Sequence, residues 1–139
     1  MSSALLYRVA SVVLLLYAAA HQFGFRQVDP RWNADATVIA MKAMFQVQGQ
    51  TRSYWDFFSA FGFFSTGFLL FSAILSWELA ALPAGMLYRL RRVRWAFAAC
   101  FVALTIVAWQ YVFPAPTTFT ALVALVLVLA AWQGARAKA

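Results

Sequence analysis

Charge is what this sequence has least of. Charged side chains make up 11% of the residues, against about 25% in soluble globular domains. So little polar surface excludes a water-soluble fold. The acidic residues are Asp29, Asp35, Asp56 and Glu78 alone, and the middle of every apolar run is free of ionisable groups. A monomer therefore offers no charged path at mid-membrane, and without an internal repeat the chain does not read as a channel or secondary transporter. Cys100 is the one cysteine, which rules out an intrachain disulfide and a cysteine-based zinc site. His21 is the one histidine. No complete catalytic, metal or nucleotide motif is present, so neither a metal nor a cofactor is expected.

What the chain does have is long apolar runs, over residues 5–23, 54–79, 94–113 and 116–133. Each is near the ~20 residues that a helix needs to cross a hydrocarbon core. The expected fold class is all-α: an integral membrane four-helix bundle, with a short amphipathic helix in the first connection. Spans take up nearly all of residues 1–139, which leaves a single transmembrane domain and no room for a soluble module. In the first run, Arg8, the stretch 9–16 and Ala18, Ala19 and Ala20 also have the form of a cleavable signal peptide. Apolar character continues through Phe23 and Phe25, and a retained first helix is expected.

The net charge is +7. In a soluble protein that excess would point to nucleic acid, but here the basic residues lie at span ends, where anionic headgroups attract them. Membrane lipids are the expected partners, and nucleic acid is not. Arg8, Arg89, Arg91, Arg92, Arg94, Arg136 and Lys138 fall on one side of the membrane. Arg26, Arg31, Lys42 and Arg52 fall on the other, diluted along a connection that also holds Asp29 and Asp35. Counted near the span ends, this asymmetry puts both termini in the cytoplasm and makes the cluster from Arg89 to Arg94 an interfacial anchor. Trp77, Trp95 and Trp132 then mark the inner interface, and Trp55 and Trp109 the outer one.

The connection after the first run carries helix signals. Asn33 is a capping type, Asp35 suits a first turn, and Val38, Met41, Met44, Phe45 and Gln48 recur at helical spacing. A helix over 34–48 follows, as a lid over the bundle or as an interfacial spacer.

Polar side chains enter the runs at one depth. His21 and Gln22 close the first, Arg52, Ser53 and Asp56 open the second, and Gln110 and Tyr111 close the third. Arg52 and Asp56 are four apart, the spacing of an ion pair on one helix face. An aspartate bonded to one ring nitrogen of His21 would fix its tautomer and leave the other nitrogen for a proton or a ligand. The ligand-binding set is accordingly His21, Arg52, Asp56 and Gln110 with Phe63, Phe64 and Trp109 as apolar walls, and the catalytic candidates are His21 and Asp56. The same polar groups would also serve as interhelical hydrogen bonds with no substrate at all. Ser59, Gly62 and Thr66 form a small-residue face that permits close helix approach.

The segments His21-Gln-Phe-Gly24, Asp29-Pro30, Gly49 and Arg52-Ser-Tyr-Trp-Asp-Phe-Phe58, followed by Phe61-Gly62, resemble a group of small, uncharacterised bacterial four-helix membrane proteins. In layout the chain is also similar to DoxX-like proteins and to the sterol-isomerase and sigma-2-receptor superfamily. The first resemblance implies a bacterial inner membrane. The second implies membrane-embedded acidic and histidine residues around a lipophilic substrate, and no catalytic residue is carried over from it. Three functions compete. The first is binding of a lipophilic small molecule such as a lipid, quinone or isoprenoid. The second is an enzyme that moves a proton with His21 or Asp56. The third is a structural subunit, as a homo-oligomer or with a partner chain, whose small-residue face would then point outward.

Overall fold

The computed structural model describes residues 2–136; Lys138, counted above among the basic residues, lies outside them. The chain runs through α1 (Ser3–Gly24), a 3₁₀ turn (Pro30–Trp32), α2 (Asp35–Met41), β1 (Met44–Val47), β2 (Gln50–Ser53), α3 (Tyr54–Ala81), α4 (Ala84–Arg89), α5 (Arg91–Tyr111) and α6 (Pro114–Arg136). Apart from one small hairpin the fold is an all-α helical bundle. Among the described residues α1, α3, α5 and α6 are long and apolar enough to cross a membrane. They fall on the four runs read from the sequence, and the chain is a multi-pass membrane protein.

Local chemistry sets the helix ends. The Ser2 hydroxyl accepts from the Leu5 amide to start α1. Ser53 and Asp56 form a reciprocal capping box at the start of α3, each side chain accepting from the other's backbone amide. Pro83 follows the last turn of α3, and Pro114 and Pro116 stand in the first turn of α6, where a missing amide proton costs nothing. The turns between successive long helices put both ends of the chain at one end of the bundle, the terminal end, and the hairpin at the other.

Packing follows a row. α1 lies between α3 and α6, and α6 packs on α5. Small residues line these contacts: Ala10 and Ala18 of α1, Ala73 of α3, Ala98 of α5, and Ala124 and Ala130 of α6 are all buried. Such residues let helices come close where lipid supplies no hydrophobic drive to associate. The Ser11 hydroxyl donates to the Ala73 carbonyl at 2.8 Å and fastens α1 to α3. Large apolar side chains such as Leu16, Phe71, Ile74 and Ile106 point outward, as a lipid-facing surface requires. α3 and α5, the ends of the row, hardly meet. Phe68 stacked on Phe101, with centroids 5.9 Å apart, is the ring contact that bridges them.

Two expectations are corrected. The helix read over 34–48 ends at Met41, and β1 and β2 pair antiparallel with Met44 opposite Ser53 and Val47 opposite Gln50. Gln48 and Gly49 both take positive φ, 50° and 79°, the mirror-image turn whose twist suits a two-residue hairpin. Phe45 had matched a helical period; instead it packs its ring on Tyr54 and Phe57 at the start of α3.

The second correction is Arg94. Arg89, Arg91 and Arg92 are exposed as an anchor requires, but Arg94 is 0% exposed. Its Nη1 donates to the Ala131 carbonyl at 2.6 Å and its Nη2 to the Tyr88 carbonyl at 3.4 Å. The Tyr88 carbonyl belongs to the last turn of α4 and the Ala131 carbonyl to the C-terminal third of α6. Two backbone carbonyls thus hold the guanidinium, and its Nε has no hydrogen-bond partner among the described residues.

Candidate functional site

Because α3 and α5 are splayed, the bundle carries an apolar groove of about 590 Å³ between them. Phe61, Phe64, Phe68 and Leu69 of α3 form one wall, and Phe101, Leu104, Val107 and Ala108 of α5 the other. Tyr17 and His21 of α1 and Thr120 of α6 reach it from behind. The Phe68–Phe101 stack marks the deep end, near the middle of both helices. Toward the hairpin end the groove adjoins a chamber of about 320 Å³, lined by Tyr17, His21, Phe25, Phe58, Phe113 and Phe119, among others. Tyr17, His21, Val112 and Pro116 line both spaces.

His21 stands at the junction, half-buried. Its Nδ1 lies 3.0 Å from the Thr66 hydroxyl of α3. That hydroxyl is within donating distance of Gln22 Oε1 and of the Gly62 carbonyl, each at 3.2 Å. The ring is stacked on Phe25, with centroids 5.1 Å apart and planes 10° from parallel, and Tyr17 meets it edge-on at 6.4 Å. Tyr17 in turn stacks on Phe119 at 4.9 Å. Phe25 lies against Gly62, on ground that a β-carbon would occupy. The small-residue face is therefore used inside the molecule, under α1 and Phe25, and does not point outward.

The other sequence candidates are dispersed. The Asp56 carboxylate is engaged by Ser53, accepting from its amide at 2.8 Å and its hydroxyl at 3.0 Å, so the His21–Asp56 contact is not made. The Arg52–Asp56 ion pair is not made either: Arg52 sits in β2, ahead of the helix, and donates to the Thr51 carbonyl and to Gln50. Phe63 turns away from the groove to pack on Phe25 and under the Arg26 guanidinium, 5.2 Å from its ring. Trp109 is 81% exposed and lines an open furrow on the outer face of α5 and α6. Gln110 is exposed nearby. Of the expected set, only His21 and Phe64 line the groove.

No protein-family model, curated protein or solved structure matches this chain.

The sequence gives Tyr17, Phe25, Thr66 and Phe101 no place in the expected site. Tyr17 is four residues before His21, on the same face of α1, a signal that was available. Thr66 was read only as a small packing residue. Phe101 gave no signal, since its pairing with Phe68 depends on how two distant helices cross. Among the described residues no three His, Cys, Asp or Glu side chains gather as a metal site would need. What the arrangement offers is an apolar trough that opens toward lipid, with one imidazole at its head.

Proposed function

We propose that this membrane protein holds a lipophilic small molecule drawn from the bilayer, its body in the groove between α3 and α5 and its polar end at His21. The observation that carries the reading is the His21 imidazole at the junction of two spaces whose walls are mostly aromatic and aliphatic, with Ser65, Cys100 and Thr120 as the small polar groups of the groove. A pocket with this ratio of apolar wall to single polar groups suits a mostly apolar ligand oriented by one hydrogen bond. Holding is favoured over proton transfer because the partners of His21 are a threonine and aromatic rings, with no carboxylate bonded to it. A bacterial inner membrane with both termini cytoplasmic completes the proposal, and would open the chamber toward the outer leaflet.

Native mass spectrometry of gently extracted protein tests it. A stoichiometric lipophilic adduct is expected on the wild type and on Trp109→Ala, and it should be lost from Leu104→Trp, whose added ring fills the groove. Wild-type protein that carries no adduct, or an adduct that persists in Leu104→Trp, overturns the reading.

A further inference from the structure

Resting on that reading, we infer that the ligand is a neutral lipophile whose flat ring head bears a hydroxyl group, the ring lodged in the chamber and the hydroxyl donating to Nε2 of His21. Three observations converge on this class.

The first is charge. Neither cavity is lined by Lys or Arg. Arg26, the nearest cation identified by its contacts, lies over the rings of Phe25 and Phe63, 5.4 and 5.2 Å from their centroids. A phosphate head would enter this space unpaired, and an unpaired ion in apolar surroundings is strongly disfavoured. The chamber lining therefore disfavours a phospholipid head.

The second is shape. The chamber wall is built largely of rings, from Tyr17, His21, Phe25, Phe58, Phe113 and Phe119. Ring faces and edges accept a flat partner in offset or edge-on packing. The connected groove opens between α3 and α5, where a long tail passes into lipid without leaving apolar surroundings.

The third is the direction of the hydrogen bonds. The Thr66 hydroxyl has one proton and two oxygen acceptors within reach, Gln22 Oε1 and the Gly62 carbonyl. We assign that proton to one of these oxygens, which makes Nδ1 the donor in the His21–Thr66 contact. A neutral imidazole carries one proton, so Nε2 is left as a bare acceptor. Nε2 makes no hydrogen bond to any described residue. At Nε2 an acceptor takes a donor, which a hydroxyl supplies and an ether or a quinone carbonyl does not; the Tyr17 hydroxyl also lines both spaces.

The test compares a long-chain alkylphenol with its O-methyl ether, identical but for the donor proton, on protein in phosphatidylcholine nanodiscs. The wild type is expected to retain the phenol about tenfold better than the ether, the ratio of one net hydrogen bond. His21→Phe, which keeps a ring in place, should bring the two together. Because His21 is the only histidine, ¹⁵N-histidine labelling gives a second readout: Nε2 should appear unprotonated without ligand and shift when the phenol binds. Equal retention of phenol and ether, or a protonated Nε2, overturns the hydroxyl class and leaves the groove reading standing. Preferential retention of phosphatidylglycerol does the same. Failure of the protein to retain any of these lipophiles overturns both.

Discussion

The guanidinium of Arg94 occupies the space that a β-carbon on Gly134 would need. The lock at the terminal end of the bundle therefore has two parts, a buried cation and a missing side chain, and each is intelligible only beside the other. Arg94 is held by the carbonyls of Ala131 and Tyr88. Gly134 lies one helical turn beyond Ala131, and a methyl there would push Nη1 off its acceptor.

Gly134→Ala is accordingly expected to destabilise the protein by about 1.5–3 kcal/mol, the range for a hydrogen bond to a charged group. Added to Arg94→Met it should cost far less, since the guanidinium is already gone; such non-additivity is the mark of two residues in contact. Thermal unfolding of the four proteins in one detergent gives the cycle. Strictly additive losses would show that the two positions act independently.

A second close approach lies at the site. A β-carbon on Gly62 would collide with the ring of Phe25, which stacks on His21. Gly62→Ala should lower stability by about 1–3 kcal/mol as an overpacking change and reduce adduct retention, because Phe25 must leave the imidazole. Phe25→Ala in the same chain should recover stability but not retention. Recovery of both would remove Phe25 from the site.

Asp56 is expected to matter for folding alone. Its carboxylate closes the capping box with Ser53, and removing an N-cap side chain costs about 0.5–2 kcal/mol. Ser53→Ala and Asp56→Ala should both lower the melting temperature while the adduct is retained in full. Loss of the adduct from Asp56→Ala at unchanged stability would return this residue to the binding site.

The turn after α1 should respond to acid. Asp29 accepts from the Arg31 side chain at 2.6 Å and from its amide at 2.9 Å. These bonds hold the Asp29 carboxyl below its ordinary value and the Arg31 guanidinium above its own. A carboxylate with a depressed folded pKa contributes stability that is present above its unfolded pKa and is lost as pH falls through the folded one. The turn Pro30–Trp32 should thus stay ordered at neutral pH and loosen only below the usual carboxylate range. Amide exchange at Arg31 across an acid titration reads this directly. Loosening near neutral pH would contradict it.

The membrane class, the four spans and their approximate ends were legible in the sequence, because each follows from a local property, apolar length and capping chemistry. Of the residues singled out there, His21 and Phe64 are the ones that line the groove. The hairpin was not legible, since its signal is the positive φ of Gln48 and Gly49, and neither the helical spacing of Phe45 nor that of Gln48 distinguishes a strand from a short helix. The partners of Asp56 and His21 were also missed. Equal depth in the membrane placed the two together, but depth fixes only one coordinate. Rotation about each helix axis, which gives His21 to Thr66 and Asp56 to Ser53, is set by packing against neighbours.

Sequence by itself determined that this chain lives in a bilayer, because hydropathy is a sum over residues and needs no contacts. Tertiary structure decided that α3 and α5 stand apart, that the space between them meets His21, and that Arg94 turns inward to two backbone carbonyls. Each of these depends on how helices distant in the chain cross, and no run of residues carries that information alone.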